Sequence, residues 1–363
     1  MRVAFLYNRS SQDPAHAAED EIPSRSPVVA AIKRLRHRVV PIACTLDLQT
    51  VRRRVLRAKP DVVFNRVESL GGSDSMMAAV PLLLEGMRIP YTGNSSAALT
   101  ATANKVFVKE RLVRAGLPTP RWVESRFDSK RAGRSAAPAG VEDDPARLIL
   151  RENFRKPKYI IKSTYEHASF RMDDESVVDV MSRVELQSLI RAREIATGRA
   201  HFAEEFVDGR EFNLSLVGNS PQALPPAEID FSAFPPDRER IVGHGAKWDE
   251  ASFEYHHTPR RFDFSANDEP LLRKLNEFAV RCWELFDLCG YARVDFRVDR
   301  AGQPWILEIN TNPCISPDAG FAAALERSGI GYDGGIGRIL DDANSRGKTH
   351  SMLPQDRQVT VNI

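Results

Sequence analysis

The chain has 363 residues, 42% hydrophobic and 28% charged, the balance of a globular protein large enough for more than one core. Its 51 Lys and Arg offset 49 Asp and Glu, and a net charge of +2 gives no global basis for binding nucleic acid or a membrane surface. No run of eighteen apolar residues is present to span a bilayer and MRVAFLY turns polar too soon for a signal peptide, so the expected location is the cytoplasm.

Val3–Tyr7 is a compact apolar run suited to a buried parallel strand. Helical spacing follows over Pro27–Leu35, an apolar run over Arg38–Ala43, a helix over Leu48–Ala58 and a strand over Asp61–Asn65. Met76–Met87 is again helical, and IPYTG at 89–93 closes the unit. Strands alternating with helices predict an open α/β sheet with ligands beyond the carboxyl ends of its strands, where Asn65-Arg66 and Gly71-Gly72 are candidate contacts.

A single helix is expected over Ala97–Ala115, stopped by GLPTP. Residues 128–157 turn small and polar and read as a surface insertion. Structure resumes with the strand YIIK at 159–162, a helix over Arg183–Ala196, strands at His201–Phe206 and Glu211–Val217, and an amphipathic helix over Glu269–Leu288 with Asp268 as its N-cap. The polar stretch after Asp341 reads as a loose tail. Cys44, Cys282, Cys289 and Cys314 form no CxxC pair and read as thiols, not zinc ligands.

The segment 291–313 carries the chemistry. Arg293, Asp295 and Arg297 alternate with apolar residues and share one strand face. In the following strand, Ile306, Glu308 and Asn310 share a face. A hairpin centred between Ala301 and Gly302 sets Asp295 opposite Glu308 and Arg293 opposite Asn310. Facing carboxylates repel unless a cation bridges them, and Asp, Glu and an Asn amide form an all-oxygen set that suits Mg²⁺. The adjacent Arg293 could neutralise charge on a transferring phosphoryl group.

Lys162 ends a strand and Lys105 lies in the middle lobe, where each could reach a phosphate. FAEEFVDGREF at 202–212 is a strand, a turn and a second strand. The backbone near Phe206 and Val207 could pair with adenine, and Glu211 could accept ribose hydroxyls.

The segments FNRVESLGG, RIPYTGNSSAALTATANK, RAGLPTPRW, YIIKS, FAEEFVDGREF, YARVDFRVD and WILEINTNPCISP, in that order, resemble the ATP-grasp superfamily and its D-alanine–D-alanine ligase branch over roughly residues 60–340. The resemblance implies an α/β fold of three lobes: an N-terminal pre-ATP-grasp lobe (1–100), a central lobe (101–200) and a C-terminal lobe with the metal site (201–345), then a tail (346–363). ATP would lie between the last two lobes. Lys105 and Lys162 would contact its phosphates, Glu204 and the Val207 backbone its adenine, and Glu211 its ribose. Asp295, Glu308 and Asn310 would hold two Mg²⁺ ions, with Mn²⁺ as a substitute, beside a catalytic Arg293. The implied reaction phosphorylates a small-molecule carboxylate, and an amine, with amino acids the expected substrates, then displaces the phosphate. Dimerisation through the first lobe is common in the family.

Three departures bear on substrate. The loop after Lys162 lacks the family's glycines, although Ser169 falls at the position of a serine that contacts phosphate or substrate. Lys247-Trp248 stands where the family has a lysine–tyrosine pair over the substrate, and Lys247 is kept as catalytic. The first-lobe loop reads RVESLGG, with Glu21 available to hold an amino group. These changes weaken D-alanine as the substrate but leave ATP-dependent ligation intact. The alternative is a nucleotide-binding regulatory relative without turnover, to which the complete set of Arg293, Asp295, Glu308 and Asn310 is the counter-argument.

Overall fold

The computed structural model describes residues 1–8, 24–125, 158–166 and 169–351. Glu21, the 128–157 segment, His167 and the chain beyond Ser351 lie outside these residues, as does the side chain of Trp248.

The first lobe contains β1 (Arg2–Asn8), α1 (Pro27–Arg34), β2 (Arg38–Cys44), α2 (Leu48–Ala58), β3 (Val62–Arg66) and α3 (Ala79–Gly86). Its strands form a parallel sheet of order β2-β1-β3. Alternate residues of β1 are buried on opposite faces, Val3 and Phe5 toward one core and Ala4 and Leu6 toward the other. That two-sided burial is why the strand reads as a continuous apolar run.

Two helices follow in place of the single one expected: α4 (Ser96–Ala103) and α5 (Lys105–Arg114). The break falls at Asn104, whose extended backbone closes α4 while its side chain accepts from the amides of Val106 and Phe107 at 2.9 and 3.1 Å. An Asn cap stabilises a new helix start and carries no apolar signal, so periodicity alone did not register the break.

The central antiparallel sheet, of order β4-β7-β5-β6, uses β4 (Trp122–Glu124), β5 (Lys158–Ser163), β6 (Val177–Asp179) and β7 (His201–Glu205), with α6 (Arg183–Thr197) packed on it. A third sheet, of order β11-β10-β8-β12-β13, contains β8 (Gly209–Val217), with β9 (Gln222–Ala223) on its flank, and β10 (Ala227–Ile229). The short helices α7 (His244–Trp248) and α8 (Phe253–His256) lead to β11 (Arg260–Arg261). Helix α9 (Glu269–Leu285) covers one face of β12 (Tyr291–Asp299) and β13 (Pro304–Asn310) through Leu275, Ala279 and Cys282. Asp268 makes no cap hydrogen bond to α9; it closes a capping box with Ser265 and pairs with Arg210 at 2.5 Å.

The last helices, α10 (Gly320–Arg327) and α11 (Tyr332–Ser351), pack back onto the first lobe, placing Ile336, Ile339 and Leu340 in one core with Val3 and Phe5. The stretch after Asp341, expected to be loose, therefore continues α11 to Ser351. Arg346 fixes it, reaching Asp342 at 2.9 Å and the carbonyls of Tyr91 and Gly93 at 3.2 and 3.1 Å. Gly347 permits this approach, since a Cβ there would come within 2.2 Å of Pro90. Helix formation in this polar segment is driven by tertiary contact more than by local propensity.

Candidate active site

The β12–β13 ladder pairs Asp295 with Glu308 and Arg293 with Asn310, the expected register at its functional end. A bulge then intervenes: Phe296 pairs with Ile306, leaving Leu307 as the extra residue. Ile306 consequently does not share a face with Glu308; it joins Ile309 in the core, and Leu307 turns to the cavity. The sequence expectation for Ile306 fails here because a strict two-residue alternation has no place for an inserted residue.

The open face of this hairpin forms one wall of a cavity of about 530 Å³, within the range that holds a drug-sized ligand. Lys162, Glu204, Val207, Glu211, Lys247, Arg293, Asp295, Glu308 and Ser169 all line it. Lys105 is not among the lining residues but lies next to one, with Nζ 3.5 Å from Glu308 Oε1 and 2.5 Å from the Glu166 carbonyl oxygen. Asn310 is not among the residues that line the cavity; its Oδ1 accepts from the Asn312 amide at 3.0 Å.

The charges are paired with care. Arg293 grips Asp295 through two hydrogen bonds, at 2.7 and 2.8 Å, and Asn213 donates to the same carboxylate at 2.8 Å. Burial alone would lower the Arg293 pKa, but Asp295, with Glu308 and Glu211 behind it, raises it. Glu211 sits directly across the β8–β12 ladder from Arg297 and pairs with it at 3.3 Å. The Arg297 guanidinium lies 5.5 Å from the Phe206 ring, which holds the connecting segment next to Val207.

Glu204 is held differently from a group open to a base. It is fully buried, with Lys162 Nζ 2.5 Å from one oxygen and Lys109 Nζ 2.6 Å from the other. Burial pushes the Glu204 carboxyl up, yet the two ammoniums together hold it below the usual range. Lys109 itself is pushed down by burial against the pull of Glu204. Sequence reading passed over Lys109, because a lysine four residues beyond Lys105 looks like a solvated helix face.

Ser169 has a left-handed backbone, with φ 60°, and its hydroxyl donates to the Val242 carbonyl at 2.8 Å. A non-glycine residue held there marks a constrained loop at the cavity. Lys247 is pushed below its ordinary pKa, first by burial and then by Arg293. In the first lobe, Arg66 is buried and paired with Glu68 at 3.0 Å, and the Gly72 carbonyl accepts from Arg199 of the central lobe at 3.0 Å.

The residues present fit a divalent cation on chemical grounds: two carboxylates paired across a ladder and an amide one step along offer oxygens only. No group of three or more His, Cys, Asp and Glu suited to a metal occurs among the described residues, and Asn310 would be the third protein ligand beside the two acids.

Residues 176–341 match the family described as D-ala D-ala ligase C-terminus. The chain is 28% identical to a D-alanine–D-alanine ligase of Moorella thermoacetica, over 90% of this chain and 95% of that one. It is 25% identical to the corresponding ligase of Aquifex aeolicus, over 92% and 97% of the two chains. In three dimensions it superposes on a D-alanine–D-alanine ligase from Bacillus anthracis solved in complex with ATP, with a TM-score of 0.67 at 18% identity, covering 96% of this chain and 99% of that one. The likeness to this structure shows the fold, the ATP-grasp fold of the D-alanine–D-alanine ligases. By sequence the chain is similar to the D-alanine–D-alanine ligases, and the family match spans the β12–β13 hairpin, α10 and the first half of α11.

Proposed function

We propose that this protein is a Mg²⁺- and ATP-dependent carboxylate–amine ligase that works through an acyl phosphate and takes amino-acid-like substrates. The observation that carries the reading is the Asp295–Glu308 pair in the wall of a cavity that Lys162, Lys247 and Arg293 also line, with Lys105 3.5 Å from Glu308.

The adenine of ATP fits the end bounded by Ile160, the Phe206–Val207 backbone and the bulged Leu307, all of which line the cavity. Glu211 is available to the ribose hydroxyls. Glu204 fits better as the clamp of Lys162 than as a partner of adenine, since both its oxygens already receive lysines. A clamped Lys162 presents a fixed ammonium to phosphate at no ordering cost when ATP arrives. Asp295, Glu308 and Asn310 would hold Mg²⁺, which when bound supplies neutralising charge at the phosphates.

In the reaction, a substrate carboxylate oxygen attacks the γ-phosphorus and the bond to ADP breaks. Arg293, oriented by its fork onto Asp295, carries positive charge to the phosphoryl oxygens without rearranging. Lys247, with its pKa lowered, stands over the same point and can steady the acyl phosphate. The amine then attacks the acyl carbon and phosphate leaves, which requires water to be excluded. ADP release over a panel of D- and L-amino acids, singly and in pairs, tests the reading. Release that depends on magnesium and on an added amine, with the matching amide found by mass, supports it. ATP binding without release under any pair points to a nucleotide-binding relative.

A further inference from the structure

Most cations that line the cavity are already neutralised: Lys162 by Glu204, Arg293 by Asp295 and Arg297 by Glu211. Two others line it with no carboxylate in ion-pair range among the described residues, Lys247 and Arg260. Lys247 is placed over the reacting centre by the reading above. Arg260 has no role in it.

Arg260 reaches the cavity because of strand alternation. In the two-residue strand β11, Arg261 turns to one side and pairs with Glu228 at 2.6 Å, so Arg260 turns to the other. Its stem lies across the start of α10, where a Cβ on Gly320 would come within 3.0 Å of Nε. Among the described residues its polar contact is a hydrogen bond from Nη1 to the Asp318 carbonyl at 3.0 Å. Arg260 lines the cavity, as do Tyr255, Cys314 and Ser316. Arg260 is exposed to solvent, and the nearby Arg293 charge, opposed by that of Asp318, disfavours a second guanidinium here until an anion joins it.

We propose that Arg260 is a specificity-determining residue that anchors a carboxylate of the amine acceptor, one that is not consumed in the reaction. This rests on the ligase reading. A planar fork with free N–H groups matches a carboxylate through two parallel hydrogen bonds, and the single carbonyl contact leaves that capacity in hand. The carboxylate can belong to the acceptor's α-carbon or to an acidic side chain.

The test compares wild type with Arg260→Gln and Arg260→Lys, using D- and L-alanine against alaninamide, and glutamate against glutamine, as acceptors. Steady-state ADP release gives KM for acceptor and for ATP, and calorimetry gives acceptor binding to the protein loaded with Mg²⁺ and a non-hydrolysable ATP analogue. Wild type should favour the acid over its amide in at least one pair by about ten- to a hundredfold, the worth of a charge-assisted hydrogen bond. Discrimination in the alanine pair assigns the α-carboxylate, and discrimination in the glutamate pair alone assigns the side chain. Arg260→Gln should erase the preference with the KM for ATP unchanged, and Arg260→Lys should restore part of it. Equal use of acid and amide, a preference that survives Arg260→Gln, or no acceptor binding by calorimetry overturns the proposal. Arg260-dependent binding without ADP release would instead sink the ligase reading and leave the anchor standing.

Discussion

Asp295 and Glu308 face each other across the β12–β13 ladder, and each already has one cation of the protein beside it, Arg293 at 2.7 Å and Lys105 at 3.5 Å. The pair is therefore tolerable without metal yet keeps a close, all-oxygen face toward the cavity.

This arrangement separates catalysis from folding at Glu308. Glu308→Gln preserves shape and the remaining hydrogen-bonding capacity but removes a charge where phosphoryl transfer needs a cation held. Turnover should fall on the order of a hundredfold or more, and the magnesium dependence should move to higher concentration. The melting temperature should stay close to wild type, because the side chain is 23% exposed and its contact with Lys105 is long. ADP release titrated with magnesium, alongside a thermal melt, reads both. Full activity at ordinary magnesium would remove Glu308 from the metal site.

Lys109 predicts the opposite pattern. Lys109→Met leaves one oxygen of a fully buried carboxylate without its ammonium, a change that costs about 3–5 kcal/mol when a buried pair is broken. Lys162 still holds the other oxygen, so the lower end is expected, seen as a fall of several degrees in melting temperature. The pH signature follows from Glu204. Its pKa is held below the unfolded value, so its contribution to stability is present above about pH 4.3 and is lost as pH falls below that. The variant should lose less stability on acidification than wild type; equal acid sensitivity would show that Lys109 does not carry the effect.

What the sequence disclosed and what it hid divide along physical lines. The Asp295–Glu308 register was legible because Val294 and Ile309 alternate with the polar residues and tie each face to core or cavity. The Leu307 bulge was not, since an inserted residue leaves composition and spacing unchanged. Likewise the first sheet was plain in its apolar runs, while the break at Asn104 and the helical course of residues 341–351 depend on a cap and on docking against Pro90 and Tyr91. Lys105, Lys162 and Glu211 could be named from their places on strands and a helix. Lys109, Asn213 and Arg260 could not, because their roles exist only once other elements bring Glu204, Asp295 and the cavity to them.

Gly209 is a close-approach position, not a conformational one. It opens β8 beside Asp208, and a Cβ there would lie 2.0 Å from the Val298 carbonyl oxygen. Gly209→Ala must push β8 away from β12 where Arg297 pairs with Glu211 and where the chain leaves Val207. Overpacking of this kind costs roughly 1–3 kcal/mol. The KM for ATP should rise several-fold, with acceptor KM little changed, because the disturbance sits at the adenine and ribose end. A variant with wild-type ATP binding would place the nucleotide elsewhere.

The cysteines give a chemical readout of both core and cavity. Cys44 and Cys282 are buried, and burial pushes their thiols up to about 11 and about 12. Cys314 is exposed and lines the cavity, while Cys289 is intermediate. An aromatic disulfide reagent should therefore modify one thiol rapidly in the native protein, and Cys44 and Cys282 only on unfolding. Mg-ATP with a bound acceptor should slow the rapid phase, since Cys314 shares the cavity with Arg260 and Arg293; an unchanged rate would put the ligands outside it. The raised thiols also set the sign of the alkaline response. The native state keeps protons that the unfolded chain releases above about pH 8.5, so stability is unaffected below that and falls as pH climbs toward 11 and 12. Each thiol contributes at most about 1.4 kcal/mol per pH unit in that window. Replacing both with alanine should flatten the decline of melting temperature between pH 8.5 and 10.5, even though the cavities lower it at every pH. An equally steep decline in the double variant would assign the alkaline loss to other groups.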